Sequence, residues 1–185
     1  MFKDTELLAL VRSRSYHEHP SNASSCEAYS ELNTQSCPCE RVLGILTLYR
    51  GLPGAGKSTA AGKDSIAADD FFMVDGVYDF DHTKLTAAHL DCQARCRAAL
   101  EAGNSINVAN TFTQRWEMEP YLQMAEELGV PVEVVDLFDA GLDDFQLSKR
   151  NTHGVPVIAI ANMRERYEHD WESGDVRPPW ERRDD

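Results

Sequence analysis

The sequence predicts an α/β fold in which a parallel sheet is covered by helices on both faces. Short apolar runs alternate along the chain with longer segments whose apolar residues recur every three or four positions. The first pattern is typical of buried strands and the second of helices. Their alternation predicts a parallel sheet with right-handed crossovers. The length of 185 residues is that of one domain.

The composition is globular, with 42% hydrophobic and 26% charged residues. The 18 Lys and Arg residues against 31 Asp and Glu residues give a formal net charge of −13. Because this charge repels phosphates and anionic lipids, it argues against a general nucleic-acid coat or an anionic-membrane binder. Apolar runs stay well short of the ~20 residues of a membrane span. The five cysteines are expected to be reduced thiols, which predicts a cytoplasmic location.

Residues 1–42 are expected to form a poorly structured N-terminal extension. They are rich in Ser, Asn, Glu and Cys and show no helical or strand period. Side chains in this segment that could bind zinc are His17, His19, Cys26, Cys37 and Cys39. Their spacing matches no common zinc-finger pattern, so a loose extension is favoured over a metal site.

The ordered domain is predicted to span residues 43–170. Leu43–Tyr49 is an apolar run that predicts a strand buried on both faces. After a glycine-rich stretch, Lys57–Lys63 is predicted as a short helix. Ser65–Ala68 is a candidate second strand that ends at two aspartates, and Asp75-Gly76 is a turn signal.

The second half of the chain continues this alternation. The predicted elements are helix Leu85–Glu101, strand Ser105–Ala109, helix Trp116–Leu128, strand Val130–Leu137, and helices Phe145–Asn151 and Val157–Glu168. Gly103 and Gly129 follow the two longer helices, where glycine commonly ends a helix. Residues 171–185 are predicted to be a charged C-terminal tail that projects from the domain.

The glycine-rich stretch is the strongest signal in the sequence. It reads Gly-Leu-Pro-Gly-Ala-Gly-Lys-Ser and matches the phosphate-binding pattern G-x-x-x-x-G-K-[ST] in full. Glycines let the backbone curl so that its N–H groups point at phosphate oxygens, and the following helix adds partial positive charge. The predicted nucleotide-binding residues are Gly51, Leu52, Pro53, Gly54, Ala55, Gly56, Lys57, Ser58 and Thr59.

Two side chains of this phosphate loop have predicted roles toward ATP and Mg²⁺. The Lys57 ammonium is expected to reach the β- and γ-phosphates, which makes it a catalytic residue as well. The Ser58 hydroxyl is expected to ligate Mg²⁺. The loop predicts binding of a nucleoside triphosphate but does not separate kinases from GTPases or motor ATPases.

Four further blocks follow the phosphate loop in order. They are ADDFF from Ala68, DGVYDFD from Asp75, NTFTQRWEMEPY from Asn110 and KRNTHGVP from Lys149. Together with the loop, they resemble the polynucleotide-kinase-like group of P-loop kinases, especially small AAA-type ATP-binding proteins of bacteria and phages. The resemblance covers about residues 43–168. It implies a P-loop NTPase fold and ATP-dependent phosphoryl transfer to a hydroxyl.

The resemblance also implies two more catalytic residues. Asp69 would be the general base that accepts the proton of the acceptor hydroxyl. Asp70 is the weaker candidate, because consecutive side chains leaving a strand point in opposite directions. Arg150 would be the lid arginine on the phosphates, with Arg164 and Arg166 as second choices. The alternatives are a capping role for Asp69 and a surface ion pair for Arg150.

Several other side chains have two interpretations each. Asn110, Thr111 and Thr113 follow the third strand, where they could contact the acceptor or cap the next helix. Trp116 could stack on a base, although packing in the core is favoured. An aromatic group beside the aspartates could line an acceptor pocket or close the core; its members are Phe71, Phe72, Tyr78 and Phe80.

The sequence therefore predicts a P-loop kinase that uses ATP and Mg²⁺ to phosphorylate a hydroxyl acceptor. By resemblance, the first acceptor to consider is a polynucleotide 5′-hydroxyl. The net charge of −13 and Phe72, which replaces a substrate-binding arginine, count against it. Two further departures bear on whether the site is active: the short segment between Lys57 and Asp69, and Ala109 in place of a magnesium-binding aspartate of many relatives. The alternatives are a nucleoside or other small acceptor, or a non-catalytic ATP-binding module. The sequence predicts no membrane association and identifies no protein partner.

Overall fold

A computed structural model describes residues 44–182, in which strands and helices alternate as predicted. The strands are β1 (Leu46–Arg50), β2 (Met73–Val74), β3 (Val77–Tyr78), β4 (Ile106–Ala109) and β5 (Val132–Asp136). The α-helices are α1 (Lys57–Ala61), α2 (Leu85–Glu101), α3 (Arg115–Leu128), α4 (Asp144–Arg150) and α5 (Val157–Glu165). The histidines and cysteines considered as zinc ligands lie outside these residues: His17, His19, Cys26, Cys37 and Cys39.

The central sheet consists of three parallel strands in the order β4-β1-β5. The middle strand, β1, pairs Leu46 with Ile106 on one side and with Val132 on the other. Leu46 and Leu48, on one face of β1, are completely buried in the cluster with α2 and α3. Thr47, on the opposite face, is also buried. The predicted α/β class with a parallel sheet is confirmed. None of the helices within residues 44–182 has the length and apolar character needed to cross a bilayer.

The predicted strand at Ser65–Ala68 is wrong in extent. Only Ile66 forms a bridge, to Val108 at the free edge of β4. The Asn110 carboxamide oxygen accepts a hydrogen bond from the backbone N–H of Ala68 at 2.9 Å, and a 3₁₀-helix begins there. This side-chain bond replaces the next bond of the ladder, so the strand ends after one residue and the chain turns toward the phosphate loop.

The apolar side chains form two clusters. The larger lies between the sheet, α2 and α3 and includes the free thiols of Cys92 and Cys96, where burial raises the pKa of Cys96 to about 12. The smaller cluster joins the phosphate loop to α4 and α5 through Leu52, Leu147 and Ile160, all fully buried. The phosphate loop therefore packs in a second, smaller hydrophobic core with α4 and α5.

The segment after α5 does not project from the domain as expected. The Glu168 carboxylate accepts a hydrogen bond from the backbone N–H of Arg115 at 2.7 Å, at the start of α3. The rings of Trp180 and Trp116 meet edge to face at 5.1 Å. Charge composition suggested a solvated tail, but an acidic cap and an aromatic pair return residues 167–182 to the domain.

The last residue of β1, Arg50, is a fully buried arginine. Its guanidinium donates to the carbonyl oxygens of Phe112 (3.1 Å) and Glu168 (2.9 Å) and pairs with Asp136 (3.1 Å). It also lies 4.2 Å above the ring of Tyr167. A buried charge is tolerated when it is paired and hydrogen-bonded in this way. One side chain thus joins the ends of all three strands to the segment after α5.

We expect Arg50→Leu to lower the free energy of unfolding by ~3–5 kcal/mol, because it leaves buried carbonyls without their donor and Asp136 without its countercharge. Urea unfolding followed by circular dichroism measures this. The control is Arg97→Met, which removes an arginine whose pairs with Glu101 and Glu127 lie on the surface. It should leave the unfolding free energy nearly unchanged. Similar small losses in both variants would contradict the role of Arg50.

Candidate functional site

The phosphate loop runs from β1 into α1 as a tightly curled backbone. Gly54 and Gly56 have φ values of 83° and 96°, in the left-handed region that favours glycine. A Cβ at Gly54 would lie 2.3 Å from the carbonyl oxygen of Leu147. Only a residue without a side chain allows α4 to approach the loop this closely, so the sequence pattern also fixes the contact with α4.

Two unusual backbone conformations hold the loop from the other side. Phe112, after β4, and Phe138, after β5, have φ values of 44° and 41°, which are uncommon for residues other than glycine. The Phe138 carbonyl accepts a hydrogen bond from the N–H of Leu52 at 2.7 Å, and the Phe112 carbonyl accepts one from Arg50. The two strained residues therefore place their carbonyl oxygens at the start of the loop, Phe112 at the Arg50 side chain and Phe138 at the Leu52 backbone.

The lysine of the loop, Lys57, lies across it and donates to the carbonyl oxygen of Leu52 at 2.9 Å. Burial lowers the pKa of Lys57 to about 8, while the nearby charge of Asp69 acts in the opposite direction. An anion held by the loop would favour the charged ammonium. The interaction with Asp69 also shows that the predicted base lies within electrostatic reach of the predicted phosphate-binding lysine.

Arg150, at the end of α4, lies over the loop. Its guanidinium comes within 3.8 Å of where a Cβ of Gly56 would stand. A cleft of about 180 Å³ opens beside it, lined by Ala55, Gly56, Thr59, Ala60, Leu137 and Arg150. Ser58 and Thr59 are exposed at the start of α1. The structure thus brings Lys57, Ser58 and Arg150 to one edge of the sheet.

The second-choice lid residues have other partners. Arg164 forms ion pairs with Asp139 and Asp144 and donates to the Leu142 carbonyl at 2.9 Å. These contacts fix the loop before α4, so Arg164 is structural. Arg166 donates to the Thr113 hydroxyl at 3.1 Å. Of the three arginines considered, Arg150 alone lines the cleft at the phosphate loop.

The two aspartates after Ile66 have different surroundings. Asp70 accepts a hydrogen bond from the N–H of Ala67 at 2.8 Å and pairs with Arg95 at 3.0 Å. The capping role that was an alternative for Asp69 therefore belongs to Asp70. The Asp69 side chain is 49% exposed and accepts a hydrogen bond from the Tyr78 hydroxyl at 3.2 Å. Asp69 remains available to a substrate.

The structure distinguishes between the two interpretations given above for Asn110, Trp116 and the aromatic group. Asn110 holds the segment that carries Asp69, so its role is positional. Trp116 is half-buried and packs against the exposed ring of Trp180, so the favoured position in the core is wrong. In the aromatic group, Phe72 is buried in the core, whereas Phe71 and Phe80 are 38% and 52% exposed. Sequence reasoning missed Tyr78 and His153 as partners of Asp69, although both lie in blocks that carried the resemblance.

The donor set fits a magnesium ion held mainly by phosphate and water. Within residues 44–182, no cluster of three or more His, Cys, Asp or Glu side chains is arranged to hold a metal ion. The exposed Ser58 hydroxyl next to Lys57 is the ligand that the phosphate-loop pattern predicts. Mg²⁺ keeps several waters and binds substrate phosphates, so a single hydroxyl is compatible with it.

Comparison with known proteins gives the family. Residues 46–169 match the profile of the AAA domain family AAA_33, and the chain belongs to this family. Over 138 residues it is 36% identical to NEDD4-binding protein 2 of Homo sapiens, a match that covers 67% of this chain but only 8% of that protein. A chain of the Pnkp1/Rnl/Hen1 RNA repair complex has the same fold, with a TM-score of 0.55 and 21% identity over 74% of this chain and 48% of its own length. These findings support a P-loop kinase-like protein.

We expect Gly54→Ala to destabilise the protein more than Gly129→Ala. Both glycines have positive φ values, but a Cβ at Gly129 meets nothing within 4 Å, whereas one at Gly54 meets the Leu147 backbone. The additional loss from this clash should be ~1–3 kcal/mol. Urea unfolding of the two variants measures it. Equal losses would mean that α4 does not press on the loop.

The Lys57→Met variant tests the buried ammonium through pH. Because the pKa falls from 10.5 to about 8 on folding, the unfolded chain holds the Lys57 proton between pH 8 and 10.5 while the folded protein releases it. In that window the contribution of Lys57 to the free energy of unfolding rises with pH. Lys57→Met should therefore be more stable than the wild type at pH 7, by roughly 2–3 kcal/mol. Urea unfolding should show this difference shrinking toward pH 10.5, and a constant difference would refute the burial.

Proposed function

We propose that this member of the AAA domain family is a kinase that transfers the γ-phosphoryl group of ATP to a hydroxyl acceptor. The observation that carries the proposal is the half-exposed carboxylate of Asp69, whose negative charge acts on the pKa of Lys57 in the phosphate loop. A phosphate-binding loop alone serves any nucleotide hydrolase. A carboxylate that can receive an acceptor's proton next to the loop is what phosphoryl transfer to a hydroxyl requires.

In this proposal, the loop backbone from Gly51 to Thr59 binds the phosphates of ATP. Lys57 exchanges its bond to the Leu52 carbonyl for the β- and γ-phosphates, and Ser58 contributes its hydroxyl to Mg²⁺. The magnesium ion, when bound, neutralises charge on the phosphates. The cleft beside Leu137 and Arg150 is adjacent to the loop and suits the nucleoside part of ATP.

Transfer itself then needs positioning and charge stabilisation. The acceptor oxygen approaches the γ-phosphorus in line with the leaving oxygen of ADP. As the new O–P bond forms and the old one breaks, Asp69 takes the proton of the acceptor hydroxyl. Arg150 and Lys57 stabilise the charge on the transferring group, with Arg150 reaching it from α4.

The acceptor that we propose first is a polynucleotide 5′-hydroxyl. Its support is the resemblance to polynucleotide kinases and the shared fold with a chain of an RNA repair complex. The assignment to AAA-type proteins of bacteria and phages and the cytoplasmic location stay predictions.

A second candidate is an uncharged small hydroxyl compound, such as a nucleoside. Residues 64–81, which include Asp69 and the β2–β3 hairpin, contain six aspartates and no lysine or arginine. Like charges would repel the phosphates of a polynucleotide there. Phe72, at the place of a substrate-binding arginine, is buried in the core and cannot contact a substrate. A non-catalytic ATP-binding module is the remaining alternative.

We expect Asp69→Asn to lower the rate of phosphoryl transfer by ~10²–10⁴-fold, while ATP affinity changes less than about twofold. The measurement is transfer of labelled γ-phosphate with Mg²⁺ to 5′-hydroxyl DNA, 5′-hydroxyl RNA and a nucleoside panel, with 5′-phosphorylated oligonucleotides as negative acceptors. The control is Asp75→Asn, on the same acidic segment at the exposed hairpin turn, which should transfer at the wild-type rate.

The panel also separates the candidates. Label on oligonucleotide 5′ ends supports the first acceptor, and label on nucleosides alone supports the second. Binding of ATP with no labelled product from any acceptor would contradict the kinase proposal and favour the binding module.

A further inference from the structure

We propose that His153 is a positioning residue for the Asp69 carboxylate, an inference that rests on the proposed role of Asp69 as the base. The Nε2 atom of His153 lies 3.7 Å from Oδ2 of Asp69. Its ring packs against that of Tyr78, with centroids 4.3 Å apart, and the Tyr78 hydroxyl donates to Oδ1 of Asp69. The Tyr78 hydroxyl therefore bonds one carboxylate oxygen, and the His153 ring, from a different part of the chain, lies near the other.

The turn that carries His153 is held by its own side chains. The Asn151 carboxamide oxygen accepts hydrogen bonds from the N–H groups of His153 (2.8 Å) and Val155 (3.2 Å). The Ser148 hydroxyl and the Asn151 amide both donate to the Val155 carbonyl, at 3.0 and 3.3 Å. This network sets the position of His153 relative to α4. Its approach to Asp69 is thus built into the fold of the turn.

The same segment reaches both halves of the site. The Leu147 carbonyl lies against Gly54, Arg150 lies over Gly56, and His153 follows three residues later beside Asp69. A helix end and one turn therefore connect the phosphate loop to the base. Docking of α4 on the loop brings Arg150 toward the phosphates and His153 toward the carboxylate together.

The chemistry of the three groups fits orientation of the base. Burial, together with the charge and hydrogen bond of Asp69, raises the pKa of Tyr78 to about 12, so its hydroxyl remains a donor at neutral pH. A His153 imidazole that carries a proton on Nε2 would be a second donor. The separation of 3.7 Å exceeds a hydrogen bond and would close by roughly 0.7 Å with the substrates in place, as catalytic contacts commonly do. An ionised carboxylate has about four lone-pair sites, which leaves others for the acceptor hydroxyl.

Three substitutions separate the ring from the donor. His153→Gln keeps a donor and loses the ring, His153→Phe keeps the ring and loses the donor, and His153→Ala loses both. The His153 side chain is 36% exposed, so these variants should fold. Transfer kinetics should show kcat reduced about tenfold or more in the Ala and Phe variants, with KM for ATP within about twofold of the wild type, and most of kcat retained in Gln. His89→Ala, at an exposed histidine of α2, is the control.

A measurement that needs no activity distinguishes this inference from the proposed function. In protein labelled with ¹³C-aspartate, the Asp69 side-chain carboxyl resonance should shift in His153→Ala and in Tyr78→Phe, and should not shift in His89→Ala. If the wild type transfers phosphate to no acceptor, the kinase proposal fails, and the resonance alone decides the contact. Wild-type kcat in the Ala and Phe variants, or an Asp69 resonance unaffected by His153→Ala, would overturn the role of His153.

Discussion

The buried guanidinium of Arg50 is the interaction on which the site depends. It occupies the position immediately before the phosphate loop and joins the loop after β4, the end of β5 and the chain after α5. Parallel strands end at the same edge of a sheet, but nothing in a strand fixes the loops that follow it. The arginine supplies that order, because its planar fork can satisfy several oxygens at once. The curled loop therefore starts from a fixed point.

A second arginine, Arg164, fixes the chain around the start of α4, as Arg50 fixes the chain at the ends of the strands. Arg164 binds two aspartates and a carbonyl around the start of α4, and the other end of that helix lies against Gly54. With these two arginines committed to structure, Arg150 is the arginine of α4 and α5 that faces the loop. The assignment of Arg150 as the lid residue is thus supported by exclusion as well as by its place over Gly56.

The sequence predicted those parts of the fold that depend on residues close together in the chain. The apolar run of β1 and the glycine–lysine loop carry their own signals, and both lie where the sequence placed them. The strand at Ser65–Ala68 failed because Asn110, more than forty residues away, intercepts its next hydrogen bond. The projecting tail was wrong because its charges suggested solvent, whereas Trp180 packs on Trp116 and the Glu172 carbonyl accepts a hydrogen bond from Arg115. The burial of Arg50 and the approach of His153 to Asp69 could not be predicted from the sequence, because contacts between distant residues produce no periodic pattern in it.

The net charge of −13 conceals a division of charge within the site. Lys57 and Arg150 lie at the phosphate loop, on the side where ATP would carry its negative charge. Asp69 belongs to the segment of residues 64–81, which has six aspartates, of which Asp70 and Asp81 pair with Arg95 and Lys84. In the proposed kinase, such a division would hold the nucleotide in one orientation and repel a second anion. A polynucleotide could then present its 5′ end only with its first phosphates directed away from this segment, whereas an uncharged acceptor has no such restriction. In the proposed kinase, the charge of the acidic segment would therefore decide which acceptors enter, and Asp69 would take the proton of their hydroxyl.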